Sequence, residues 1–318
     1  MEQLYIGADI GGTTVKLAFI KDDGSIVEKW EIPTNTESEG KSIPTDISQS
    51  IDEKLKERNI HKEAIMGIGA GAPGFVDTSS GFIHEAVNIG WKNFDFGSHL
   101  EELTGFPVWV DNDANLAALG ENWLGAGKGC TELIAVTLGT GVGGGIIANG
   151  NVLNGANGTA AELGHVTVVP VGGVPCNCGK TGCLETVSSA TGIVRKAKEI
   201  AGSYPESTLQ TLLKNGELTA KDVFDAADDG DEAAEKVILE VTDVLGMAIA
   251  NMAIAINPEK IVVGGGVSKA GTQLLAPLEK AYRKYALKRT AEASNFGIAE
   301  LGNDAGVIGG AYLVKKNK

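Results

Sequence analysis

A strand, a glycine–threonine turn and a returning strand occur twice in this chain. A sequence that repeats such a unit favours two halves built on one plan. The first copy runs from Leu4 through Gly11-Gly12-Thr13-Thr14 to Ile20. The second runs from Leu133 through Gly139-Thr140-Gly141 to Ala148. Gly/Thr turns are common, so chance recurrence is the alternative to duplication. The remaining pattern is also α/β. Ile26–Ile32 and Ile65–Gly71 read as strands, Pro107–Val110 as another, and Ile261-Val262-Val263 as a short buried one. Residues 45–58, 114–124 and 232–256 read as helices, the last ended by Asn257-Pro258, and a final helix starts near Asn303-Asp304. Residues 207–229 read as surface helices and loops, and Asn149-Gly150 as a hairpin turn.

Length and charge narrow the function. The 318 residues leave room for two domains with separate cores. No uninterrupted apolar run reaches the ~18 residues that suggest a membrane span. The N-terminus enters a strand with no basic segment before it, so a cytoplasmic chain without a membrane partner is expected. A net charge of −14 argues against nucleic acid, whose phosphates need a basic face. It leaves room for a small phosphorylated ligand held by backbone N–H groups. The 44 glycines fit that reading, clustering in loops where backbone must approach something closely.

Three of the four cysteines form a motif with one histidine. His165 precedes Cys176, Cys178 and Cys183 in a segment with glycines at 179 and 182, which let the backbone turn tightly. Three thiolates and an imidazole make a closed tetrahedral Zn2+ site with no position left for water, so the expected role is structural. A disulfide or unpaired buried thiols are the alternatives. Cys130 stands alone and reads as a small buried side chain.

The turns and the carboxylates carry the chemistry. The turn after Asp9 exposes backbone N–H groups and threonine hydroxyls, which can cradle phosphate oxygens, and Asp9 can bind Mg2+. No Gly-Lys-Ser/Thr follows, so this is not a Walker loop. A plain hairpin turn is the bland reading, and Gly139-Thr140-Gly141 weighs against it by repeating the design. Gly264-Gly265-Gly266 lies either against a nucleoside or at a strand-to-helix bend. In Asp111-Asn112-Asp113, Asp113 is either a helix N-cap or a carboxylate that binds and deprotonates a polyol hydroxyl. Glu162 and Glu185 flank the cysteine loop and are either solvated acids or acceptors for sugar hydroxyls. Lys16 is the nearest cation after the first turn, with its direction left open.

Asp-x-Gly-Gly-Thr at 9–13, Glu-x-Gly-His at 162–165 and Cys-x-Cys-Gly-x-x-Gly-Cys-x-Glu at 176–185 together resemble the ROK family of sugar kinases and repressors, and within it the bacterial ATP-dependent glucokinases. The resemblance runs from Ile6 to the helix at Ala305–Ala311. It implies an α/β fold of the actin/hexokinase (ribonuclease H-like) type, with two α/β domains and a cleft between them. The expected division is residues 1–112 with 302–318, then 113–301. It implies phosphorylation of the glucose 6-hydroxyl by ATP with Mg2+, with Asp113 as the base. Asn88, Asn112, Asp113, Glu162, His165 and Glu185 would hold the sugar. Asp9, Gly11, Gly12, Thr13, Gly139 and Thr140 would serve the phosphates and metal, and Gly265 and Gly266 the adenosine. His165 would also join Cys176, Cys178 and Cys183 on a structural Zn2+. A homodimer is the family expectation. Repressor members carry an N-terminal helix-turn-helix for which Asp9 leaves no room. A kinase of another hexose or an N-acetylhexosamine is the nearest rival. A silent sugar sensor and a zinc hydrolase fit less well, as does polyphosphate as donor.

Overall fold

A computed structural model describes residues 2–216 and 218–318. The chain opens with strands β1 (Leu4–Ile10), β2 (Thr14–Lys21), β3 (Ile26–Pro33) and β4 (Ile65–Ala72). A three-stranded ribbon follows, β5 (Phe75–Asp77), β6 (Phe82–Ala86) and β7 (Trp91–Asp95), and β8 (Val108–Asn112) returns to the first sheet. That sheet has the order β3-β2-β1-β4-β8. Its hairpin strands are antiparallel, and β1, β4 and β8 are parallel. The second half contributes β9 (Leu133–Leu138), β10 (Val142–Ala148), β11 (Asn151–Val152), β12 (Lys260–Gly264) and β13 (Asn295–Ile298). Their order, β11-β10-β9-β12-β13, repeats the first sheet strand for strand, in the same directions. The recurrence of the two hairpins is therefore a recurrence of topology.

Helices fill the space around the sheets. Ile47, Ile51 and Leu55, spaced four apart, bury against Leu4, Ile6 and Ile10 on one face of the first sheet. The C-terminal helix Ala305–Asn317 covers its other face through Val307, Ala311 and Val314. The helix Asp113–Leu124 joins Leu133, Ala135 and Val262 of the second sheet through Leu116 and Leu119. These two helices cross at very short range. A Cβ on Gly309 would lie 1.8 Å from the Leu116 carbonyl oxygen, and one on Gly120 would lie 2.2 Å from that of Ala305. Part of the glycine excess thus serves packing between elements, beyond the loops the composition suggested.

The helix Glu232–Ile256 has the expected bounds. Asp231 caps it by accepting the N–H groups of Ala233 and Ala234, and Asn257 ends it in the left-handed conformation at φ 50°. By length and composition it is apolar enough to cross a bilayer, but Val237, Val241, Leu245 and Ile249 are buried in the core of the second half. The ribbon β5–β7 and the helices Ala190–Ala201 and Thr272–Tyr285 lie outside the sequence expectation. The ribbon's strands are too short to show a period. Pro277, inside the last of these helices, reads as a helix breaker. Cys130 is half-buried rather than buried.

Candidate active site

The first hairpin sets up a charge pair. Gly11 N–H donates to the Thr14 carbonyl, and the turn is tied to the chain after β3 by Thr34, whose N–H and hydroxyl donate to the carbonyls of Thr13 and Gly11. This register places Lys16 directly across from Asp9. Opposed residues in an antiparallel pair share a face. Lys16 Nζ lies 3.7 Å from Asp9 Oδ2 and so faces the cleft. Burial raises the Asp9 pKa, while Lys16 pulls it back down. Gly306, in the first turn of the C-terminal helix, packs against this carboxylate: a Cβ there would lie 2.9 Å from Asp9 Oδ2.

The strand-to-helix junction at 111–113 resolves the capping question. Asn112, not Asp113, is the N-cap: its Oδ1 accepts from Ala114 and Asn115 N–H. Its Nδ2 donates to the Gly74 carbonyl, which leaves one amide hydrogen for a ligand. Asp113 opens the helix with its carboxylate on Ala114 N–H at 2.9 Å. Its pKa is pushed up to about 6, first by burial and then by the negative charges of Asp9 and Glu162, against the pull of the Ala114 N–H. Asp9, Lys16, Asp113, Thr137, Gly143, Asn303 and Gly306 line one cavity of about 300 Å3, so residues from both hairpins meet there.

The cysteine loop closes as its spacing implied. Gly179 and Gly182 adopt φ 87° and 70°, and a Cβ on Gly182 would lie 1.9 Å from the Val169 carbonyl oxygen. The donor atoms of His165, Cys176, Cys178 and Cys183 all lie within 4.8 Å of one another. Cys178 and Cys183 sulfurs are 3.6 Å apart, and His165 Nδ1 is 3.6 Å from Cys176 Sγ. A tetrahedron with Zn–S of ~2.3 Å has edges of roughly 3.8 Å, so this set fits a metal ion. The other imidazole nitrogen, Nε2, faces Glu162 Oε2 at 3.9 Å. Ala161, just before Glu162, sits in the left-handed region at φ 64° although it is not glycine. Burial raises the pKa of Glu162, partly offset by His165. Glu185 lies 3.8 Å from His165 Nδ1 and also packs on the second turn, where a Cβ on Gly141 would be 2.7 Å from its Oε2. That turn is held further by Ala190 N–H on the Gly139 carbonyl and the Thr191 hydroxyl on the Thr140 carbonyl.

A second cavity of about 390 Å3 extends from the first past Gly264, Gly265, Gly266, Ser268, Ile298, Glu300 and Asn303. Gly265 has φ 83°, and a Cβ would lie 2.5 Å from the Leu138 carbonyl oxygen, so the fold itself requires glycine there. Gly12 and Gly139 differ. A Cβ on Gly12 meets only Asn88, at 3.7 Å, and one on Gly139 meets nothing within 4 Å. Asn88 is exposed and stands beside the first turn. Thr137, Asn303 and Gly306 were not legible as site residues. Asn303 and Gly306 read only as a helix start.

A profile of the ROK family matches residues 5–317. The chain belongs to the ROK family. Its ROK relatives include a glucokinase of Halalkalibacterium halodurans, 56% identical over 318 residues, which are 100% of this chain and 96% of that one. A glucokinase of Thermotoga maritima is 39% identical over 98% of this chain and 97% of its own. Among solved structures, the ROK glucokinase of Streptomyces griseus, in complex with glucose and AMPPNP, matches with TM-score 0.79 and 35% identity. The match covers 98% of this chain and 99% of that one. The ROK hexokinase of Thermus thermophilus matches with TM-score 0.82 at 33% identity, covering 99% of this chain and 100% of that one. The two repeated sheets are thus those of an actin/hexokinase-type ROK kinase.

Proposed function

We propose that the protein is a glucokinase that transfers the γ-phosphoryl group of ATP to the 6-hydroxyl of glucose. The observation that carries the mechanism is Asp113: a carboxylate with a pKa near 6, in the cavity that Asp9 and Lys16 share. A base in that range is ionised at neutral pH yet still takes a proton effectively. Asp113 accepts the hydroxyl proton as the sugar oxygen bonds to the γ-phosphorus. The bond from that phosphorus to the ADP oxygen breaks in the same in-line exchange. Asp9 would hold Mg2+, which would neutralise phosphate charge. Lys16 adds a positive charge at the same end of the cleft.

The free backbone faces at Gly12 and Gly139 support phosphate contacts from Gly11, Gly12, Thr13, Gly139 and Thr140. Glu162, His165 Nε2, Glu185 and the spare amide hydrogen of Asn112 would bind sugar hydroxyls, with Asn88 at the mouth. The cavity at Gly265 and Gly266 suits the adenosine. His165, Cys176, Cys178 and Cys183 would hold a structural Zn2+ that fixes the carboxylates beside it. A boundary at 112/113 and 301/302 gives each sheet its own domain. A cytoplasmic homodimer belongs to the same reading, and reduced thiols in the metal cluster fit that compartment. The test is ADP release by purified protein over a panel of glucose, mannose, fructose, allose and N-acetylhexosamines, with the product identified by NMR. Glucose 6-phosphate as the preferred product is expected. Preference for another sugar would overturn the glucose reading.

A further inference from the structure

Asp111 is a buried carboxylate that phosphoryl transfer does not use. It is 3% exposed, and no cation lies within salt-bridge distance of it among the described residues. Amide donors hold it. Asn115 Nδ2 lies 2.9 Å from Oδ1, Asn154 Nδ2 lies 3.0 and 2.9 Å from Oδ1 and Oδ2, and Asn112 N–H donates at 2.7 Å. Burying an unpaired carboxylate is costly, and an apolar side chain would fill the space at lower cost. The carboxylate even dictates its neighbour's orientation: Asn115 turns its Nδ2 to Asp111 and leaves its own buried Oδ1 without a partner.

The two ends of this contact belong to different parts of the site. Asp111 is the penultimate residue of β8 and immediately precedes Asn112 and Asp113. Asn154 is the second residue of the loop that leaves β11 and ends at Glu162. That loop crosses from the second half onto the first, where Gly158 packs so close that a Cβ would lie 2.2 Å from the Val76 carbonyl oxygen. It then passes through the left-handed Ala161 into Glu162. Within the loop, Ala160 N–H donates to the Asn154 carbonyl at 3.2 Å, which ties the anchored residue to the segment that enters Glu162.

We propose that Asp111 is a positioning residue whose contact with Asn154 latches the strand end bearing Asp113 to the loop bearing Glu162, setting the width of the sugar site. This rests on the sugar lying between those two carboxylates. The test is a swap, read on whichever panel sugar the wild type turns over fastest, so that an error in sugar identity leaves it intact. Asn154→Asp sets two carboxylates together, whereas Asp111→Asn keeps an Oδ1 that still accepts from Asn154 Nδ2. Asn154→Asp should raise the sugar KM about tenfold, the scale of coupling between contacting residues, with the ATP KM little changed, and Asp111→Asn should raise it less. The double variant reverses the pair. The new amide at 111 donates to the new carboxylate at 154, while its oxygen still accepts from Asn115, so the sugar KM should return near wild type. Asn154→Ala removes only the donor and serves if the charged variants fold poorly; it should raise the sugar KM in the same selective way. Lowered melting temperature with unchanged sugar KM in Asn154→Asp and Asn154→Ala overturns the latch. So does a double variant that regains stability but not sugar KM.

Discussion

Lys16 and Asp9 stand opposite each other across the first hairpin, with the ammonium 3.7 Å from the carboxylate, at the cavity that also holds Asp113. On the proposed reading, a fixed positive charge there would meet the phosphates of ATP. Lys16→Met, which keeps the length and removes the charge, should lower kcat/KM for ATP by about 10²-fold, the scale of losing one electrostatic stabiliser. Glucose binding by calorimetry should be unchanged. Equal loss for both substrates would mean the lysine serves the fold.

The glycines separate ligand contact from backbone need. Gly12→Ala meets only Asn88, at ordinary contact distance, and Gly139→Ala meets nothing within 4 Å, so melting temperature should hold while the ATP KM rises by an order of magnitude or more. Gly265→Ala enters a left-handed position against the Leu138 carbonyl and should cost ~1–3 kcal/mol of stability, whatever it does to ATP. Denaturant melts and donor titrations on the three variants check the split.

Activity should depend on the ionised form of Asp113. With its pKa pushed up to about 6, kcat/KM for glucose should rise as pH passes through that value and level off above it. Glu162 is one of the negative charges that oppose ionisation, so Glu162→Gln should move the acid limb to lower pH, alongside weaker sugar binding. A limb that stays put or moves upward would contradict the assignment.

The proposed Zn2+ site offers a test of how structure would serve sugar binding. Cys178 is exposed, so Cys178→Ala removes a ligand without opening the core. Elemental analysis should show the loss of one Zn2+ per chain. Glucose affinity should fall 10–100-fold, as when groups that orient a site are lost. Binding of an ATP analogue should weaken less, because Ala190 and Thr191 hold the second turn independently of the metal. Normal glucose affinity in metal-free protein would contradict this.

Much of this was legible because period and motif act locally. The two hairpins, the helix Glu232–Ile256 and the Cys3His spacing depend on neighbours in sequence. The direction of Lys16 stayed open in the sequence because it depends on the register: the turn at Gly11–Thr13 pairs Ile10 with Val15 and hence Asp9 with Lys16. The sequence offered Asp113 as the cap candidate, whereas Asn112 caps the helix: Asn and Asp both cap well, and only the backbone decides between adjacent candidates. Asn303 and Gly306 reach Asp9 only through the return of the C-terminal helix to the first sheet, and Asn154 reaches Asp111 only across the halves. No local pattern records such contacts.

The central claim is that Asp113 is the base in ATP-dependent phosphorylation of glucose. Asp113→Asn keeps the shape and removes the proton acceptor. Glucose-dependent ADP release should fall at least ~10²-fold in kcat, the scale of general-base help, with glucose still bound in calorimetry. Wild-type turnover in that variant would contradict the account.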